Sequence, residues 1–322
     1  MSAEGSPKAI LAALFANLGI AATKLVAWVL TGASSMLAEA IHSVADSGNQ
    51  VLLLVGSQRA KRAPTQNHPF GFGRERYIYA FIVSIVLFSI GGLFALYEAY
   101  HKYHEVHAGD PNELLESRWW WVPLVVLGAA IVMESLSFRT AIIESNKVRG
   151  GLGWGEFIRR AKAPELPVVL LEDFAALVGL AFALLGVGLT LITENGYWDV
   201  AGTAAIGLLL VTVAVVLAVE TKSLLLGESA APGEQELISS CILASDAVLD
   251  IISLRTLHLG PEEILVACKI SVRPTDSAQV ISDTINQVEV AIRAAVPTAT
   301  RIFIEPDIFR VPTGSSDAAR NG

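Results

Sequence analysis

His42 and Asp46 stand four residues apart in a largely apolar stretch, residues 34–58. At 3.6 residues per turn, that spacing places an imidazole and a carboxylate on one helix face. A second acidic group, Glu172 and Asp173, lies in Leu170-Leu171-Glu172-Asp173-Phe174, with no basic neighbour inside its apolar run. Asn17, Lys24, Glu39 and Glu134 are further polar side chains inside apolar runs. Imidazole nitrogen and carboxylate oxygen are the donors that Zn(II) takes in tetrahedral geometry. Such donors bind metal only when deprotonated, so binding a dication releases protons. The expected chemistry is an exchange of a divalent cation for protons. His42 is the natural proton carrier, because an imidazole titrates near neutral pH.

The elements that must hold these groups are membrane spans. The chain has 322 residues, of which 53% are hydrophobic and 17% charged, with a mean hydropathy of +0.54. A soluble domain carries roughly 25% charged residues, so the composition excludes a soluble enzyme and indicates a polytopic membrane protein. A helix needs about 20 mainly apolar residues to cross a hydrocarbon core of about 30 Å. Six stretches qualify: 8–31, 34–58, 76–101, 119–143, 165–192 and 197–220. Cys241 and Cys268 are the only cysteines and form no CxxC pair, which argues against a disulfide scaffold or a zinc finger. The net charge of -8 argues against nucleic acid as a partner. No cleavable signal peptide is expected, since residues 1–7 lack a basic n-region.

Helical rise sets the depths. Asp46 falls about 18 Å from a boundary near Ser34, Asp173 about 12 Å from one near Glu165, and Asn17 about 13 Å from one near Lys8. In a core of about 30 Å these are one level. Glu39 sits about one turn outward on the His42/Asp46 face, and Glu134 nearer the cytoplasmic end of its span, where it could line an entry vestibule. Lys24 is expected to snorkel outward or pair with an acid. The alternative for any one of these residues is structural, because polar side chains also hold transmembrane helices together.

Loop charges set orientation. Arg59, Lys61, Arg62, Arg74 and Arg76 follow the second span, and Lys147, Arg149, Arg159, Arg160 and Lys162 follow the fourth. The loop after the fifth has no basic residue. Both termini are therefore expected in the cytoplasm, with a bacterial inner membrane as the default. Trp119, Trp120, Trp121, Tyr197 and Trp198 mark the opposite interface. The six-helix domain is assigned to 1–227. From 228 to 311 the pattern becomes mixed polar: a helix over 232–249, strands over 251–259 and 263–272, a helix over 277–295 and a strand over 300–305. The order α-β-β-α-β is a small two-layer α+β domain of split-βαβ type. Residues 312–322, rich in Gly, Ser and Ala, are expected to be disordered.

Leu37-Ala38-Glu39-Ala40-Ile41-His42-Ser43-Val44-Ala45-Asp46 resembles the second-helix signature of the cation diffusion facilitators, the zinc-transporter family. His68-Pro69-Phe70-Gly71-Phe72-Gly73-Arg74 resembles that family's His-x-Phe-Gly-x-Gly stretch. The branch most similar is the one containing the mitochondrial zinc transporter with a Glu-Asp pair in the fifth span. The resemblance implies six spans, a ferredoxin-like cytoplasmic domain and a homodimer. It further implies export of Zn(II), or in some branches Mn(II), Fe(II) or Co(II), against protons, with no prosthetic group. It matches His42, Asp46 and Asp173 to the transport ligands. Val169, four residues before Asp173, cannot bind metal, so Glu172, Asn17, Glu39 or water must complete the set. An oxygen-richer site weakens the preference for zinc. His68 matches one ligand of an interface metal site and is, with Glu134, a candidate residue of the cytoplasmic entry, but Phe72 replaces the next histidine. In the tail, His258, Cys268, Glu305 and Asp307 could hold regulatory metal. An intramembrane metalloprotease would require HExxH, which is absent, so no enzymatic role is expected. A membrane metal sensor or scaffold is the remaining alternative.

Overall fold

The computed structural model describes residues 7–308, with side chains from residue 17 onward; the stretch 312–322 lies outside the described residues. The chain divides into two compact units, one ending at Leu225 and the other beginning at Leu226.

The first unit is helical: α1 (Pro7–Thr31), α2 (Ser34–Ala60), α3 (Glu75–Ala108), α4 (Glu113–Glu116), α5 (Val122–Arg149), α6 (Trp154–Arg160), α7 (Glu165–Thr193) and α8 (Tyr197–Leu226). Four of these, α3, α5, α7 and α8, are long and apolar enough to cross a membrane. The other two expected spans, α1 and α2, are not among these four. The described part of α1, Asn17–Thr31, is apolar but shorter. In α2 the low hydropathy comes from residues turned inward: Ser34, Ser35, Glu39, His42, Ser43, Ser47 and Asn49 are buried, whereas Val44, Val51 and Leu54 are exposed. A helix with its polar groups inside and its apolar groups outside is the arrangement a bundle in lipid requires.

Helix ends also differ from the sequence expectation. α3 runs past residue 101 to Ala108 and stops where Gly109 takes φ +79°, the left-handed conformation that closes many helices. α5 begins after Trp119–Trp121, with Pro123 in its first turn, where a missing N–H costs nothing. A π-helical segment, Leu87–Leu93, interrupts α3. Leu87, Leu127, Leu180, Ile206, Leu210 and Leu217 fill the core. α7 and α8 cross at Gly186 and Gly202; a Cβ on Gly202 would stand 2.9 Å from the Phe182 carbonyl oxygen. Small residues permit that backbone approach, which gains dispersion contact where lipid offers no hydrophobic drive.

The second unit holds α9 (Pro232–Leu243), β1 (Asp250–Gly260), β2 (Glu263–Ser271), α10 (Ala278–Ala295) and β3 (Arg301–Asp307). The sheet order is β1-β2-β3, with β1 antiparallel to β2 and β2 parallel to β3. The tight connection at residues 261–262 serves the antiparallel pair, and α10 supplies the crossover that a parallel pair needs. The helix expected over 232–249 ends early, at Leu243, and a turn follows in which Ser245 O accepts from the Val248 N–H. β3 passes through Pro306, tolerated because β3 is an edge strand. Ile238, Ile242, Ile264, Val266, Ile270, Val288 and Ile292 form the core.

Candidate metal centre

One face of α2 carries Glu39, Ser43, Asp46 and Gln50 at spacings of three and four residues, the helical repeat that aligns side chains. Ser43, Asp46 and Gln50 line a small cavity with Asn17 and Ile20 of α1, Glu134 and Ser137 of α5, and Asp173 of α7. Four helices thus bring Asn17, Asp46, Glu134 and Asp173 to one place. Asp173 Oδ2 accepts a hydrogen bond from Ser137 Oγ at 2.9 Å. His42 is not among the lining residues, but its Nε2 lies 3.3 Å from Asp46 Oδ2. Asp46 Oδ1 and both His42 ring nitrogens are buried without a hydrogen-bond partner among the described residues. A buried polar atom left unpaired costs about 1–3 kcal/mol. Asp46 Oδ1 and whichever His42 ring nitrogen carries no proton are therefore lone pairs without a partner, the kind a cation takes. Among the described residues, no three His, Cys, Asp or Glu side chains stand close enough together to hold a metal ion. In this conformation the donors share a cavity without forming a finished cage.

The other candidate residues go elsewhere. Glu172 is buried on the far side of Asp173 and its Oε1 accepts from Asn49 Nδ2 at 2.8 Å, because neighbours on a helix diverge by about 100°. Glu39 pairs with Lys24, whose Nζ is 2.9 Å from Oε2; of the two fates expected for Lys24, pairing is the one observed. His68 is exposed between α2 and α3, its ring 4.6 Å from that of Phe72. Sequence reasoning missed Ser43, Gln50 and Ser137. Gln50 continues the four-residue spacing of His42 and Asp46, and Ser43 stands three residues before Asp46 on the same face, so both could have been found by following the helical repeat from Asp46. Ser137 carries no such signal.

In the second unit the candidate ligands do not converge. His258 is buried on β1, with Nδ1 3.3 Å from Gly260 O. Cys268 faces the core of β2, and burial pushes its thiol up to about 11, which disfavours the metal-binding thiolate. Glu305 and Asp307 meet Lys269 at 3.2 and 2.8 Å, and those two acids hold the Lys269 ammonium above its ordinary range.

Residues 10–226 match the cation efflux transmembrane domain. The chain is 31% identical over 266 residues to the proton-coupled zinc antiporter SLC30A9, mitochondrial, of Xenopus laevis, covering 82% of this chain and 46% of that protein. It is 30% identical over 259 residues to the Homo sapiens protein of the same name, covering 80% and 44%. To metal tolerance protein C4 of Arabidopsis thaliana it is 28% identical over 249 residues, covering 77% and 52%. The chain spans about half the length of these curated relatives. With a matched domain that covers most of the helical unit and contains every residue lining the cavity, the chain belongs to the cation efflux family.

Proposed function

We propose that the protein is a membrane exporter of divalent metal, Zn(II) foremost, that exchanges the metal for protons. The observation that carries this reading is the cavity itself. Asp46 and Asp173, from two different helices, line it together, and neither has a Lys or Arg partner among the described residues. Uncompensated carboxylates at membrane depth cost several kcal/mol, and a dication offsets that cost. His42, Asp46 and Asp173 supply nitrogen and oxygen donors to the cargo ion. Asn17 and Glu134 lie within reach to complete the set, and Glu172 holds Asn49 of α2. The relatives named for zinc antiport and metal tolerance support the same reading.

The proposal includes six spans, with α1 and α2 joining the four long apolar helices. It places both termini on the basic-loop side, the cytoplasm of a bacterial inner membrane. The second unit is read as ferredoxin-like, from its α-β-β-α-β order and mixed sheet, and the working form as a homodimer. The role is transport, not enzymatic.

A second reading, Mn(II), Fe(II) or Co(II) as cargo, is favoured by one observation. Asn17, Ser43, Gln50 and Ser137 add oxygen donors to the cavity lining, and harder ions prefer oxygen-rich sites. Metal-by-metal uptake into proteoliposomes tests both readings. Zn(II) uptake is expected to depend on a pH gradient and to vanish in Asp46→Ala and Asp173→Ala. Unchanged uptake in both variants overturns the site, and indifference to the gradient overturns the exchange.

A further inference from the structure

Lys24 and Glu39 form an ion pair buried to 1% and 0% exposure. Nζ donates to Glu39 Oε2 at 2.9 Å and to Ser43 Oγ at 2.8 Å. A buried ion pair contributes little net stability, because desolvation offsets the attraction, so stability alone does not account for it. Its position points to another role. Lys24 follows Asn17 and Ile20 at the spacings that keep it on the cavity face of α1, and Glu39 precedes Ser43 and Asp46 on the cavity face of α2. The pair therefore sits where both cavity-lining faces continue toward Ser34. The ammonium touches Ser43, which itself lines the cavity. Glu39 is about 10 Å from Asp46 along the helix. Its second oxygen, Oε1, is buried and has no hydrogen-bond partner among the described residues. Gly179 of α7 leaves it room: a Cβ there would come within 2.8 Å of that oxygen.

We infer that Lys24 and Glu39 are opposed charges that set the cavity's affinity for a divalent cation. Lys24 is a built-in cation that repels the dication and favours its release. Glu39 is the carboxylate that draws the dication along α2 once Lys24 gives it up. The free Oε1 is the donor left for that purpose. This rests on the cavity being the metal site. A unit charge about 10 Å from a dication, at an effective dielectric constant of about 20, changes affinity by about a hundredfold or more.

The test is Zn(II) binding to the purified full chain in detergent, read by competition with a chromogenic chelator. Lys24→Gln is expected to tighten binding about a hundredfold and Glu39→Gln to weaken it by a similar factor. The double variant is expected to return to within about threefold of the unaltered protein. Lys24→Arg, which keeps the charge, is expected to bind as the unaltered protein does. Singles that shift in the same direction, or do not shift, overturn the inference. If a neutral single variant fails to fold, Lys24→Arg and the double variant decide it, and a tenfold loss in either overturns it. Asp173→Ala separates the two levels of the argument. Native affinity in that variant removes the cavity as the metal site. Lost binding there, with native binding in both Lys24→Gln and Glu39→Gln, removes only the role assigned to the ion pair.

Discussion

The protein keeps acidic side chains in two settings, and it treats them differently. In the second unit, Glu305 and Asp307 stand on the edge strand β3, the first exposed and the second half-buried, and share Lys269. In the helical unit, Asp46 and Asp173 face a cavity, and their neighbours are an imidazole and a hydroxyl. Water stabilises the first set whether or not the lysine is present, so the clasp adds little. No comparable solvent reaches the second set, so leaving those acids without a basic partner is costly. The difference teaches where to look for function: in the carboxylates whose charge the protein itself does not neutralise.

The comparison can be broken most directly by neutralising each set. Asp46→Asn with Asp173→Asn is expected to reduce metal uptake into proteoliposomes by about a hundredfold or more, consistent with losing two buried charged ligands. Glu305→Gln with Asp307→Asn is expected to leave uptake unchanged, and equal losses in the two double variants would erase the distinction. A smaller but large effect is expected at Asp199 of α8. Its buried carboxylate accepts from the Ser34 N–H at 2.9 Å, the Ser34 Oγ at 3.0 Å and the Ser35 Oγ at 2.5 Å. It thereby caps the N-terminus of α2 from another helix, where a negative charge also meets the helix dipole favourably. Asp199→Ala should destabilise the helical unit by on the order of 3 kcal/mol, read as a lower melting temperature in detergent. A native melting temperature would show that α2 is not held there.

Ser137→Ala sharpens the comparison within the cavity. It removes one hydrogen bond to Asp173, worth about 1 kcal/mol, and should change the KM for metal by roughly fivefold with the fold intact. No change would mean that Ser137 does not hold the carboxylate during transport. The smallest effect concerns Cys268 in the second unit. Its folded thiol is raised to about 11 from an ordinary 9.0 by burial. A raised thiol value favours the neutral form in the folded state. That contribution is full below pH 9.0 and is lost as pH rises toward 11. Cys268→Ala should flatten the fall in thermal stability of the chain across that range, and an unchanged slope would refute the assignment.

Much of the architecture was legible because its signals are local. Apolar runs marked α3, α5, α7 and α8, whose lipid-facing length is written in consecutive residues. The strand-turn-strand at Gly260-Pro261 was visible as two β-rich runs around a turn pair. α2 was harder, since its hydropathy is low and only the burial of its polar face explains how it can lie among apolar helices. The end of the helix at Leu243 was missed because the turn after it is settled by local hydrogen bonds that residue pattern does not encode.

For the site, spacing along one chain segment determined that His42 and Asp46 share a face, and rise per residue put Asp173 near their level. Spacing says nothing about which way a different helix is rotated. Only the packing of four helices decided that Asp173 turns toward Asp46 and Ser137 while Glu172, one residue away, turns toward Asn49. Likewise, the sequence left Lys24 either to snorkel outward or to pair with an acid, and tertiary structure alone paired it with Glu39. Short-range order follows from the helical repeat, which every segment carries within itself. The pairing of groups 15 to 165 residues apart follows from how rigid rods fill space against one another.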